Sequence, residues 1–240
     1  MPDIEILRGL KLHKDPNDGL RISAEVGCMT SLNFFKSMDA TDIGMVIRKA
    51  ARHGHIEIMK QWKDVFEKEC CADDFENAAT YASCYGHIEI IKLFSEWGVI
   101  DDFHNVMDTA ANEGHIDIVM LCKDLGADDF EWSYENASAN GHYDIVKLLI
   151  EWDDGRYVDI GMAHAAEEGH TDIVGLCRDN GATDFVRAIL YAIRNGHVEI
   201  VRLFKEWDVM DDFEDALAEA ARYGHIEIVK RIRLLRTQLT

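Results

Sequence analysis

Ala50-Ala51-Arg52-His53-Gly54-His55-Ile56-Glu57-Ile58 is one of seven near-copies of a single frame: Ala, three residues, Gly-His, two residues, Ile. The glycines are Gly54, Gly86, Gly114, Gly141, Gly169, Gly196 and Gly224, separated by 32, 28, 27, 28, 27 and 28 residues. A fixed period in this range marks a chain built by stacking one small unit, each copy burying its face on the next. Such a stack offers a long surface and requires no buried reaction centre.

With each Gly as position zero, the unit reads as two helices. Position −12 is Asp in six of the seven units: Asp42, Asp74, Asp102, Asp129, Asp184 and Asp212. Asp is a favoured helix N-cap whose charge suits the positive helix start. Positions −11, −8, −7, −4 and −3 share one face at the 3.6-residue period, with Ala at −4 in all seven units. The first helix is therefore expected from about −11 to −2, with small residues that let a neighbouring helix come close. The Gly ends it in a left-handed C-cap. A second helix follows, with an acid at +3, Ile at +4 and apolar residues at +5 and +8. Lys or Arg stands at +6 in Lys60, Lys92, Lys147, Arg202 and Lys230, able to pair with the acid at +3. Two helices of ten or so residues fill a unit of 27–28 residues, so no strand fits.

The frame at Ala50–Ile58 resembles the second half of an ankyrin repeat, and Leu125-Gly126-Ala127 and Asn180-Gly181-Ala182 resemble its end. The likeness recurs from about residue 41 to 231. The units are shorter than the ~33-residue ankyrin repeat and lack its Thr-Pro-Leu-His signature. What the resemblance implies is an all-α fold: an α-solenoid of stacked helix-turn-helix ankyrin-like repeats lacking the long β-hairpin, which is reduced to a tight turn. Short units opening on Asp-Asp-Phe or Thr-Asp-Phe also look like the ankyrin proteins encoded by large DNA viruses infecting amoebae.

Irregularities suggest three segments: an N-terminal capping segment and degenerate first repeat (1–40), seven short repeats (41–231), and a basic C-terminal helix extension (232–240). Around Gly27, Asp15 and Pro16 read as N-cap and first helical residue. At the other end, Ile228, Val229, Ile232, Leu235 and Leu239 extend an apolar stripe that is either a cap kept soluble by Arg231, Arg233 and Arg236 or a self-association surface. The spacing of 32 marks an insertion at Val65–Cys71, expected to lengthen the second helix of its unit by one turn. Trp97, Trp152 and Trp207 recur at +11 every 55 residues and alternate with Cys122 and Cys177 at +8, which suggests growth by copying pairs of units.

The net charge of −20 argues against nucleic acid and anionic membrane as partners and favours a protein partner with a basic surface. No apolar run approaches the ~18 residues of a membrane span, and the first 30 residues show no signal-peptide core. The six Cys have no paired CxxC spacing and read as reduced thiols of an intracellular, cytoplasmic protein, in a host cell if viral.

Eleven His invite a metal reading, but seven are the Gly-His residues. Adjacent units lie about 10 Å apart, too far to share a zinc ion with ligands at ~2 Å. They are expected instead to make a helix-start hydrogen bond in each unit. Asp-Asp pairs read as caps. No Gly-x-Ser-x-Gly, P-loop or His-Glu-x-x-His string occurs, so no enzyme, metal or cofactor is expected. Function should lie where units differ: positions −9, −5 and −2 of the first helix, opposite the apolar stripe, which lines the concave side in ankyrin-like stacks. Trp132, Ile160, His164, Arg187, Tyr191 and Arg194, with Tyr81, are the candidate partner-binding residues, since aromatics and Arg anchor interfaces. The expected function is a non-enzymatic protein–protein interaction scaffold, monomeric, binding a host or viral protein. Two alternatives remain at this stage: a substrate adaptor for a host ubiquitin ligase, and a homo-oligomeric structural protein joined through its C-terminal helix.

Overall fold

The computed structural model describes residues 15–209, 218, 221–224, 226, 229 and 230. The stripe from Ile228 to Leu239, the basic extension and the first 14 residues lie, but for Val229, outside the described residues. Helices are α1 (Pro16–Val26), α2 (Met29–Lys36), α3 (Ile43–Arg52), α4 (Ile56–Gln61), α5 (Lys63–Glu69), α6 (Ala72–Cys84), α7 (Ile88–Trp97) and α8 (His104–Glu113). They continue as α9 (Ile116–Asp124), α10 (Glu131–Ala139), α11 (Tyr143–Asp153), α12 (Val158–Glu168), α13 (Thr171–Asp179), α14 (Phe185–Asn195) and α15 (Val198–Glu206). No strand occurs among the described residues, and the projecting hairpin is replaced by short turns. The fold is all-α, an α-solenoid of helical repeats.

The chain forms two compact units, Met1–Ala110 with Asp117–Ala127, and Ala111–Ile116 with Asp128–Thr240. In the first, α3 packs between α1 and α6, and α4 packs on α7. In the second, α12 packs between α10 and α14, and α13 packs between α11 and α15. Within each unit, first helices pack on first helices and second helices on second helices. From Gly54 to Gly196, residues at −11, −8, −7, −4 and −3 are buried in every repeat, save the half-buried Phe185. Ala50, Ala82, Ala110, Ala137, Ala165 and Ala192 are fully buried, as close approach of neighbouring first helices requires. The second helices bury +4, +5 and +8, as in Ile145, Val146 and Leu149. Each such Ile or Leu side chain stabilises the fold by roughly 1.5–3 kcal/mol.

The Gly-His corner does something the sequence does not state. In His55, His87, His142, His170 and His197 the ring makes no hydrogen bond to its own helix start. Its Nε2 instead donates to the carbonyl at position −2 of the preceding repeat: His55 to Glu25 at 2.9 Å, His142 to Asn112 at 2.9 Å, His170 to Ala139 at 3.0 Å, His197 to Glu167 at 2.7 Å. That corrects the expectation of a bond within each unit. The carbonyl is one of the four that a helix leaves unpaired at its C-terminus, so the ring joins one repeat to the next.

The insertion also differs from expectation. Instead of one longer helix, the second helix of that repeat breaks at Trp62 into α4 and α5. The Trp62 ring is buried, 6.0 Å from the Phe66 ring, and its Nε1 donates to Asn33 Oδ1 at 3.0 Å. The next first helix then starts early, so Asp74 is not an N-cap but the third residue of α6, accepting from the Cys71 backbone N at 3.2 Å. Asp42 and Asp184 do cap, accepting from Met45 N at 3.1 Å and Arg187 N at 3.2 Å. The acid–base pairs expected on second helices form in Glu57–Lys60, Glu89–Lys92 and Glu199–Arg202. They are exposed, and each contributes little to stability.

Candidate interaction face

Positions −9, −5 and −2 point away from the buried stripe because a helix places them on the opposite side. In the second compact unit, three neighbouring first helices present them. Trp132, near the start of α10, is 61% exposed. Ile160 on α12 is half-buried, and Arg187 and Arg194 on α14 are exposed. Equivalent positions stand side by side: the His164 and Tyr191 rings, both at −5, are 6.4 Å apart between centroids.

His164 forms the floor of this face, with 17% of its side chain exposed. Its Nε2 lies 3.7 Å from Glu135 Oε2 on α10, and its Nδ1 lies 3.5 Å from Glu167 Oε2 on its own helix. Arg187 Cζ sits 5.5 Å from the centre of the Tyr191 ring. A hydrogen bond with Tyr191 is the main reason its guanidinium holds its proton more firmly than usual, with the charges of Asp184 and Glu135 adding to it. Arg194 Cζ lies 5.7 Å from the centre of the Tyr223 ring.

Tyr81 belongs to the first compact unit. It is 41% exposed on α6, one helical turn from Tyr85, whose ring lies 5.1 Å from Arg52 Cζ. The six other predicted residues are all carried by the second unit.

Two features of the face escaped the sequence. Val186, at −10, is 69% exposed, more than Trp132. The second is a clamp between helix starts: Asp159 Oδ1 accepts from Thr183 N at 2.6 Å and Asp184 N at 2.8 Å. In the first unit Asn17 Oδ1 does the same for Thr41 N at 2.9 Å and Asp42 N at 3.0 Å. The available signal was an Asn or Asp at −10 with Thr-Asp 24 residues later, present in both places.

The buried stripe, the Gly-His corner and the helix-on-helix layers point to one known kind of repeat. Residues 134–235 match the family model for ankyrin repeats in three copies. No curated protein matches the chain. The matched ankyrin repeats run from Tyr134 on α10 to beyond α15, so they carry Ile160, His164, Arg187, Tyr191 and Arg194, with Trp132 two residues before them.

Among the described residues no three or more His, Cys, Asp or Glu are placed to hold a metal ion. None of the helices there is long and apolar enough to cross a membrane. Cys122 and Cys177 are buried in the second-helix layer, and burial pushes both thiols up to about 12. Burial also raises the Tyr134 hydroxyl, which donates to Asp153 Oδ1 at 2.9 Å.

Proposed function

We propose that this chain is a non-enzymatic scaffold that binds a protein partner through the first-helix face carrying Trp132, Ile160, His164, Arg187, Tyr191 and Arg194, with Tyr81 as a further contact in the first unit. The observation that carries this reading is the exposure of Trp132 on a face where each repeat differs, while the opposite stripe from Gly54 to Gly196 is buried but for the half-buried Phe185. Ankyrin repeats generally mediate protein–protein interaction, and those found at 134–235 support the same reading. A rigid helical face needs no loop ordering on binding, so little affinity is lost to conformational entropy. The net charge of −20 supports a partner with a basic surface. The short units opening on Asp-Phe support a viral origin and hence a host-cell partner in the cytoplasm.

The test is affinity capture from lysate with the wild-type chain and with Trp132→Ala plus Tyr191→Ala. The double variant is expected to lose the captured protein while far-UV circular dichroism stays unchanged. Undiminished capture would move the site to another face.

A further inference from the structure

The Gly-His corners share one backbone but differ in what surrounds them. A groove of about 300 Å³ lies between the corner that follows α8 and the corner that follows α10, within the second compact unit. Gly114 and Gly141 add no side chain to it, Ile116 and Ile145 give it apolar lining, and Tyr143 and Asp144 are its exposed members.

Those two exposed side chains set this corner apart. At +2 the other repeats hold Ile56, Ile88, Ile116, Thr171, Val198 and Ile226, and only here an aromatic, Tyr143. The residue is 37% exposed. Tyr85, Tyr157, Tyr191 and Tyr223 each carry an arginine of the chain itself, with Cζ 5.1, 6.0, 5.5 and 5.7 Å from the ring centre. Among the described residues no cation stands over Tyr143.

Asp144 follows at +3. Elsewhere the acid at that position is engaged. Glu57, Glu89 and Glu199 pair with the base three residues on, and Asp117 and Asp172 accept from the backbone N of Ile118 and Ile173, both at 3.0 Å. Lys147 stands three residues after Asp144, yet the two do not pair, the Asp side chain being a methylene shorter than the Glu of the pairs that form. Among the described residues the Asp144 carboxylate has no hydrogen-bond or ion-pair partner.

An exposed ring and an unpaired carboxylate on adjacent residues, at the edge of an apolar groove, suit one kind of group. A guanidinium lies flat on a tyrosine face. Its rigid fork of N–H donors matches a carboxylate, as an ammonium does not. The methylenes of an arginine stem cover apolar surface such as Ile116. An anionic group would meet Asp144 with like charge, and an apolar one would leave that carboxylate without a partner.

We propose that this groove takes an arginine side chain of a protein partner, its guanidinium on the Tyr143 ring and paired with Asp144. It is a second site, since none of its residues belongs to the first-helix face.

The test uses the isotope-labelled full chain and two capped tripeptides, Ala-Arg-Ala and its citrulline counterpart, which keeps the planar shape and loses the charge. Amide shifts in NMR spectra are followed against peptide concentration at physiological salt. The arginine peptide should bind about fivefold tighter than the citrulline one, with shifts centred on Ile116, Tyr143 and Asp144. Asp144→Asn should remove that preference, and Asp172→Asn should not. Tyr143→Ile, which installs the residue type of Ile56, Ile88 and Ile116, should weaken the arginine peptide about threefold with helix content unchanged. Equal binding of the two peptides, a preference that survives Asp144→Asn, or shifts spread over the exposed acids at large would each overturn the proposal.

Discussion

His170 donates its Nε2 proton to the carbonyl oxygen of Ala139, 3.0 Å away in the preceding repeat. The same ring occupies the space where a Cβ on Gly141 would stand, 2.6 Å from the nearest ring atom. Gly141 has φ +77°, which ordinary side chains adopt only at a cost. Its glycine is thus required twice, by its own backbone and by the next repeat's histidine. The dipeptide recurs because the Gly of one corner receives the His of the following one.

Two glycines separate these requirements. Gly181 has φ +97° but nothing within 4 Å of a Cβ. Gly181→Ala should cost about 1–2 kcal/mol, the left-handed backbone penalty. Gly141→Ala should cost about 1–3 kcal/mol more, because the His170 ring must shift. His170→Ala alone should cost about 1–2 kcal/mol for the lost bond. The double variant should then be more stable than the sum of its parts, since removing the ring removes the clash. Urea unfolding followed by circular dichroism measures all four, and simple additivity would contradict the contact.

Thiol reactivity should sort by burial. With pKa values near 12, Cys122 and Cys177 carry almost no thiolate at pH 8 and are shielded from reagent. Iodoacetamide with mass spectrometric readout should modify the exposed Cys71 in native buffer, and Cys122 and Cys177 only in denaturing urea. Rapid native labelling of Cys177 would contradict its place in the second-helix layer.

Acid should weaken the first unit in two steps. Partial burial and the neighbouring His55 and Arg52 hold His53 below the ordinary histidine range. Its contribution is full above about 6.5 and falls as pH drops through that value toward the depressed folded one. A hydrogen bond from Lys49, at 2.6 Å, holds Glu25 below the ordinary glutamate range. Its contribution is full above about 4.3 and is lost as pH falls through the lowered value. In both steps the unfolded chain binds more protons, so stability rises with pH. Thermal melts should show a smaller loss from pH 7 to 5 in His53→Gln, and a smaller loss from pH 5 to 3 in Lys49→Met. Parallel curves for wild type and variants would contradict the assignments.

The buried stripe was legible because a 3.6-residue period maps directly onto a helix face. Trp132 stood out because no shared position of the repeat holds a large aromatic there. The partner of the corner histidine was not legible: the bond from His170 goes to a backbone carbonyl 31 residues earlier, and every residue type has one. The break at Trp62 was hidden for a similar reason, since it accompanies a hydrogen bond to Asn33, distant in sequence. Val186 was passed over because −10 lies at the edge of the helical face and not at its centre.

Hydrogen–deuterium exchange of the chain with and without its captured partner tests the central claim most directly. Slowed exchange on first helices, in α10, α12 and α14 and in α6 around Tyr81, is the predicted result. Slowed exchange confined to the second helices α11, α13 and α15 would contradict it.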